Sequence, residues 1–270
     1  MKRKQTSTGA NAQLLARVRA LSHRAVRDRE DSFWIEGIRQ FVQAYDARFD
    51  FSAVVYSPVL LKSSLAEMLL RRLAAAGVPR FKVSPEEFRS VGAALHASGV
   101  GAIVRQRWTP LDVAARRSGL GWLIVESIRS PGNLGTMLRT AEAAGMTGVI
   151  FVGSQCDPFD PVVVRSCMGG MFPLPMVRAT PEQLATWGMR DGVQFVGLSP
   201  TADRLWTQGP SGPKVAIVLG EERSGLSAAM QKLCTTTVRL PMTGTADSLN
   251  VAMAASVMMY EFVRRAQPPN

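Results

Sequence analysis

Ile217-Val218-Leu219-Gly220-Glu221-Glu222-Arg223-Ser224-Gly225-Leu226 is an apolar run that stops abruptly in an acidic loop bounded by two glycines. A short apolar run closed by a turn signal is the pattern of a strand buried on both faces, as at the centre of a parallel sheet. Runs of the same kind stand at 122–125, 149–152 and 194–198, beside 215–219 itself. Helical patterns at 134–144, 161–168, 181–187 and 251–265 are interspersed with them. Strands alternating with helices predict an α/β fold whose parallel sheet is covered on both faces. Gly220, at the strand end, removes side-chain bulk where a ligand could approach the backbone. The loop is no phosphate cradle: no Lys-Ser/Thr follows the glycine, and two acids would repel a phosphate. Glu221 and Glu222 suit a ligand with hydroxyls or positive charge; alone, the same residues also make an ordinary acidic turn.

Two further stretches frame this one. Ser130-Pro131-Gly132-Asn133-Leu134-Gly135-Thr136-Met137-Leu138-Arg139-Thr140-Ala141 follows the strand at 122–125. Pro-Gly makes the turn and Asn133 can cap the helix that begins there. Arg139, six residues on, lies between one and two helical turns further along. Its guanidinium can reach a phosphate or polarise a ribose oxygen; it can equally pair with Glu142 on the helix surface. The other stretch is Leu240-Pro241-Met242-Thr243-Gly244-Thr245-Ala246-Asp247-Ser248-Leu249-Asn250-Val251-Ala252-Met253-Ala254. A strand stops at Pro241, a loop carries Gly244, and Ser248-Leu249-Asn250 opens a helix whose small residues Ala252, Ala254, Ala255 and Ser256 permit close packing.

Upstream, the chain reads as a smaller α/β domain. Residues 1–10 are expected to be flexible, and 13–22 form an amphipathic helix through Leu14, Leu15, Val18 and Leu21. After Phe33-Trp34-Ile35-Glu36-Gly37 comes a helical pattern at Ile38, Phe41, Val42 and Tyr45. Strands are expected at 51–56, 80–83 and 101–104, with a helix at 63–76. Ser84-Pro85-Glu86-Glu87 is a helix start with a cap, a proline at the first position and acids in the first turn. The boundaries are therefore a domain at 1–105, a polar linker at 106–119 with Pro110 and the adjacent Arg116 and Arg117, and a second domain at 120–270.

Of the net charge of +11, residues 1–110 hold 18 basic against 9 acidic residues, and residues 111–270 hold 14 against 12. The excess is densest from Lys2 to Arg29, where Lys2, Arg3, Lys4, Arg17, Arg19, Arg24, Arg27 and Arg29 face only Asp28. Such asymmetry points to a polyanionic partner. No run is apolar for the ~20 residues a membrane span needs. The basic, polar start has no apolar signal core, so a cytoplasmic location is expected. Cys156, Cys167 and Cys234 are far apart and His23 and His96 are isolated, so no metal site is expected. A dinucleotide enzyme would need a GxGxxG turn after an early strand, and none is present.

The three C-terminal stretches, in this order and spacing, resemble the motifs of the SpoU (TrmH) family of RNA ribose methyltransferases within the SPOUT superfamily. Asn133-x-Gly135-x-x-x-Arg139-Thr-Ala resembles the first motif, and Leu219-Gly220-x-Glu222-x-x-Gly225-Leu226 the second. Leu240-Pro241-Met242-x-Gly244-x-x-x-Ser248-Leu249-Asn250-Val251, with Tyr260-Glu261, resembles the third. Val164-Arg165-Ser166-x-Met168-Gly169 through Pro175 is also similar to the family. Around Trp34-Ile35-Glu36-Gly37 the chain resembles, less specifically, the substrate-binding domain of the ribosomal protein L30e type. Ser130 departs from the family, which often has an acid before the proline.

The resemblance implies a C-terminal SPOUT α/β domain with a deep trefoil knot, a feature that general topology rules would count against. It implies S-adenosylmethionine as cofactor, held largely by backbone groups at Gly220, Leu240 and Leu249, with Leu198, Met242 and Ser248 beside them. It implies methylation of a ribose 2′-hydroxyl of structured RNA by a homodimer, ribosomal RNA being favoured and transfer RNA the alternative. The chemistry is displacement at a sulfonium, which calls for alignment of oxygen, methyl and sulfur and for removal of the hydroxyl proton. Arg139 is expected to anchor phosphate and activate the nucleophile, because a neutral guanidine is costly. Asn133, Glu222, Ser248 and Asn250 then orient it or the ribose. A non-catalytic RNA-binding protein of the same fold is the competing reading, as is a base-methylating relative.

Overall fold

A computed structural model of the chain describes residues 2–92, 97–245 and 248–267, with side chains from Gly9 onward. His96, Ala246 and Asp247 lie outside the described residues, as do the side chains of Lys2, Arg3 and Lys4. The first elements are α1 (Lys2–Ala20), α2 (Arg24–Glu30), β1 (Ser32–Glu36), α3 (Ile38–Asp46), β2 (Phe51–Tyr56), α4 (Ser64–Ala75), β3 (Arg80–Lys82), α5 (Pro85–Arg89) and β4 (Val100–Arg105). Then follow α6 (Leu111–Ala114), β5 (Trp122–Val125), α7 (Pro131–Ala143), β6 (Gly148–Val152), α8 (Pro161–Ser166), β7 (Met176–Ala179) and α9 (Pro181–Asp191). The chain ends with β8 (Gln194–Leu198), β9 (Arg204–Leu205), β10 (Val215–Leu219), α10 (Ala228–Leu233), β11 (Thr236–Arg239) and α11 (Val251–Ala266). Among the described residues no helix is long and apolar enough to cross a membrane.

The chain divides into two compact units, and the division is not a single cut. The first unit is residues 1–107 together with 159–172; the second is 108–158 with 173–270. In the first, a four-stranded sheet has the order β1-β4-β2-β3, with β4 antiparallel to both neighbours and β3 parallel to β2. Leu14, Leu15, Val18 and Leu21 pack on Ala53, Val55, Val83, Phe88 and Ile103. These contacts anchor the second half of α1, and the helix runs back to Lys2, because propagation needs only one further bond per residue once a helix is nucleated. The first ten residues, expected to be flexible, are thus helical from Lys2. Ser84 and Glu87 form the expected capping box of α5, with bonds of 3.1 and 2.8 Å.

The segment 159–172 is held to this unit by aromatic and polar contacts. Phe159 lies 4.7 Å from Phe33, and Phe172 meets Phe49 edge-on at 5.1 Å, by ring centroids. Gln40 Nε2 donates to the Val164 carbonyl at 2.9 Å. The buried Arg27 guanidinium donates to the carbonyls of Leu21 and Ser22 and stands 4.0 Å from the Asp160 carboxylate.

The second unit is built on a seven-stranded sheet of order β7-β6-β5-β10-β8-β11-β9, parallel throughout. Its core on one face joins Trp122, Ile124, Ile150, Val177, Leu184, Trp187, Phe195 and Val218. α11 buries Ala252, Ala255, Met258, Met259 and Phe262 and packs along α7. In an open parallel sheet, ligands bind beyond the carboxyl ends of the strands where the strand order reverses. Here β10 is inserted between β5 and β8, and β8 between β10 and β11, so the loops after β8, β10 and β11 converge at one end.

Candidate functional site

At those carboxyl ends lies a cavity of about 730 Å³. Leu198 from the end of β8, Leu219 from β10 and Gly220 just after it, Leu240 and Met242 beyond β11, and Ser248 and Leu249 before α11 all line it. All six residues expected to hold the cofactor thus share one cavity, built from three segments far apart in the chain. Leu198, Leu219, Leu226, Leu240 and Val251 supply apolar surface, and Asp203, Glu221 and Glu222 supply carboxylates.

The loop after β10 is closed on itself. Glu221 and Gly225 exchange backbone hydrogen bonds of 3.0 and 2.9 Å, and Gly225 adopts a positive φ of 69°. A Cβ at Gly220 would run into the backbone of Gly225 and Leu226. The glycine expected to leave room for a ligand therefore leaves room for the loop's own return. The Glu221 carboxylate accepts from the Ser224 amide at 3.0 Å and from the Ser224 hydroxyl, and pairs with Arg129 at 2.7 Å. The Ser224 hydroxyl and amide, aided by the Arg129 guanidinium, hold the Glu221 carboxyl below the usual carboxylate range.

At the edge of the cavity three of the expected catalytic residues meet. Asn133 Nδ2 donates to Glu222 Oε1 at 3.2 Å, and Asn133 Oδ1 accepts from Asn250 Nδ2 at 3.0 Å. Asn250 Oδ1 caps α11 by accepting from the amides of Ala252 and Met253 at 2.9 and 3.3 Å. The contact is possible because α7 and α11 run side by side in the same direction: Asn133 meets Asn250, and further along the Ser256 hydroxyl donates to Thr140 at 3.3 Å. Asn133 does not cap α7 as expected. Ser130 does, accepting from the Asn133 amide at 3.4 Å, so the residue that replaces the family's acid takes the capping role and leaves the Asn133 side chain free for Glu222 and Asn250.

Ser248 also lines the cavity. Arg139 is not brought into the cluster: six residues beyond Asn133 it sits about 9 Å along the helix axis, exposed, and it forms no ion pair with Glu142. Residues that the sequence reading passed over are Ser199, Thr201 and Asp203, which line the cavity from the loop after β8, and Arg129, which braces Glu221. A polar loop directly after a buried parallel strand was the available signal for the first three.

Comparison with known proteins places the chain in a family. Residues 122–260 match the SpoU rRNA methylase family and residues 13–102 an MRM3-like substrate-binding domain. The chain is 30% identical to the 23S rRNA (uridine(2479)-2′-O)-methyltransferase of Streptomyces viridochromogenes, over 96% of this chain and 91% of the relative. The AdoMet-bound rRNA methyltransferase from Sinorhizobium meliloti superposes with a TM-score of 0.85 at 31% identity, covering 94% of this chain and 95% of that one. The AdoMet complex of AviRb from S. viridochromogenes gives 0.81 at 30% identity, covering 93% and 97%. The fold and site thus define an RNA-methylating enzyme of the SPOUT type. The chain belongs to the SpoU rRNA methylase family.

Proposed function

We propose that this protein methylates a ribose 2′-hydroxyl of ribosomal RNA with S-adenosylmethionine, transfer RNA being the second candidate substrate. The observation that carries the reading is the cavity at the ends of β8, β10 and β11 with the Glu222–Asn133–Asn250 cluster at its edge. Its volume is that of a small-molecule site. The apolar side chains suit an adenine ring, and the carboxylates suit hydroxyls and a cationic centre. S-adenosylmethionine supplies a methyl group already activated on a sulfonium.

The chain's own residues then have to bind, align and take up a proton. Asn133, held between Asn250 and Glu222, fixes the orientation of the Glu222 carboxylate at the cavity. That carboxylate has an oxygen left to accept a hydrogen bond from the ribose hydroxyl, and it takes up the hydroxyl proton as the ribose oxygen is alkylated. Arg139, exposed and without an ion pair among the described residues, serves as an anchor for an RNA phosphate. Holding the hydroxyl oxygen in line is worth several kcal/mol of barrier, on the order of 7–11 kcal/mol at best.

The enzyme is read as a cytoplasmic homodimer. Met253, Val257 and Tyr260 recur at helical spacing on α11 and are exposed, although the helix already buries its other face. A helix apolar on two faces suits a second copy of this chain. The family's trefoil knot is part of the same reading, supported by the return of α11 to α7 after β11 is laid beyond β8.

Mapping ribose methylation in total RNA from cells with and without the gene tests the function. One 2′-O-methyl, in ribosomal RNA, is expected to vanish with the gene and to be restored in vitro by the purified protein. An unchanged methylation map would sink the reading.

A further inference from the structure

At the opposite end of the same parallel sheet is a second concavity, of about 530 Å³. It lies at the amino ends of β5, β8 and β10, about 15 Å from the first cavity, the length of a five-residue strand. Trp122 and Trp187 form its floor, and Arg116, Arg117, Arg190 and Lys214 stand around it with Asp112 and Asp191. From these residues we infer that the concavity is a second RNA-binding surface of the catalytic unit, which grips backbone phosphates of the substrate. The inference rests on the RNA-methylating role proposed above.

Charge is the first argument. Four cations against two acids leave +2, which equals the whole net charge of residues 111–270. Elsewhere in that half the charges balance; here they do not. Arg190 is neutralised, because its guanidinium holds both oxygens of Asp191 at 2.8 Å. Arg116, Arg117 and Lys214 are exposed and form no ion pair among the described residues.

The second argument is that the arginines are held rather than trailing. The sequence placed them in a linker, but α6 precedes them, and the amides of Arg116 and Arg117 bond back to the carbonyls of Val113 and Ala114. Lys214 is fixed from the other side, since its carbonyl accepts from the amide of Gln194 at 2.9 Å.

The third argument is the floor. Trp187 is 3% exposed, and its indole N–H is enclosed with the ring. The Asp191 carboxylate is near enough to feel that N–H but is already held by Arg190. Trp122 and Trp187 meet edge-on at 5.5 Å and are buried, so neither ring offers a face for a base to stack on. Recognition here is therefore by backbone charge and not by sequence.

The full-length triple variant R116Q/R117Q/K214Q tests this, with a synthetic fragment of the methylated ribosomal RNA region as probe. RNA affinity is expected to fall by tenfold or more at low salt. The log–log salt slope should flatten by roughly 2, at about 0.7–0.9 for each phosphate no longer neutralised. Affinity for S-adenosylmethionine should stay within twofold, and the melting curve should be unchanged. The variant R116K/R117K keeps the charge and should keep the slope. If the wild type methylates RNA while the triple variant binds it with the same affinity and slope, this inference falls and the proposed function stands. If the wild type itself neither binds nor methylates RNA, both fall together.

Discussion

Asn133 engages two partners at once through its side-chain amide, donating to Glu222 and accepting from Asn250. Asn133→Ala breaks both bonds, and two hydrogen bonds of ~1.5 kcal/mol correspond to about a hundredfold in rate. Single-turnover methylation should show that decline with cofactor affinity nearly unchanged; wild-type turnover would remove the cluster from the mechanism. Arg139→Ala is expected to abolish transfer while the protein stays folded and binds cofactor, measured by the same assay beside calorimetry. Gly220 acts differently. Even Gly220→Ala sets a Cβ against the Gly225 backbone, so the loop must open. Cofactor affinity should fall more than tenfold and the melting temperature should drop as well; unchanged calorimetric affinity would place the pocket elsewhere. At this scale the residue types were legible but not their pairings. Ser130 and Asn133 are both good capping residues, and only the geometry of the turn decides that serine takes the cap. Arg139 sits on the right helix, but the six-residue spacing turns it away from Asn133, which a motif pattern does not express.

Among the elements, the short apolar runs were readable because burial on both faces leaves few polar residues to blur them. β5, β8 and β10 stand where the runs stand. β7, by contrast, carries the exposed Arg178 among four residues, and β9 is only two residues long, so neither makes a periodic signal. α8 was readable as a helix, but nothing in Pro161–Ser166 states which core it faces. α11 has a feature at its end that the motif alone did not explain. Glu261 is buried and bonds Arg264 at 2.8 and 2.7 Å and Arg265 at 2.6 Å, while Arg265 also donates to the Gly209 carbonyl at 2.6 Å. The two guanidiniums, Arg264 foremost, hold the Glu261 carboxyl below its ordinary value near 4.5. A carboxyl depressed on folding stabilises the protein above its unfolded pKa, and that contribution disappears as pH falls through the folded value. Wild-type melting temperature should therefore decline below about pH 4.5 more steeply than that of Glu261→Gln, which should already cost about 1–3 kcal/mol at pH 7. Parallel pH profiles for the two proteins would refute the assignment. The exposed face of α11 predicts in turn that Val257→Glu yields monomers in light scattering; a persistent dimer would move the interface off this helix.

For the whole molecule, the uneven charge suggests a division of labour, with the basic first half supplying much of the RNA affinity. Deleting residues 1–105 is a poor way to test it, because 159–172 would be deprived of the unit it packs in and expose Phe159 and Phe172. The truncated chain is expected to aggregate or melt well below the full-length protein. Replacing Arg19, Arg24 and Arg29 by Gln in the full chain is the cleaner test. The salt slope of RNA binding should flatten by roughly 0.7–0.9 for each phosphate these arginines neutralise, with cofactor affinity unchanged. An identical slope would reduce the basic half to a solubilising surface.

The excursion of 159–172 also sets an order of events during synthesis. Domains ordinarily fold as they emerge, the first one first. Here the first unit lacks its last segment until residue 172 has been made, about 65 residues after its main body ends. At ribosomal speeds that is a wait of roughly 3–13 s, during which Phe33 and Phe49 have no partner from this segment and the strands β5 and β6 are already present. Nascent chains stalled before residue 172 has left the ribosome should be digested by protease throughout the first unit, and chains stalled after it should resist. The amino-terminal half of this protein is thus finished by its carboxyl-terminal half, and a ribosome that pauses within that window leaves an unsealed apolar surface for chaperones to meet.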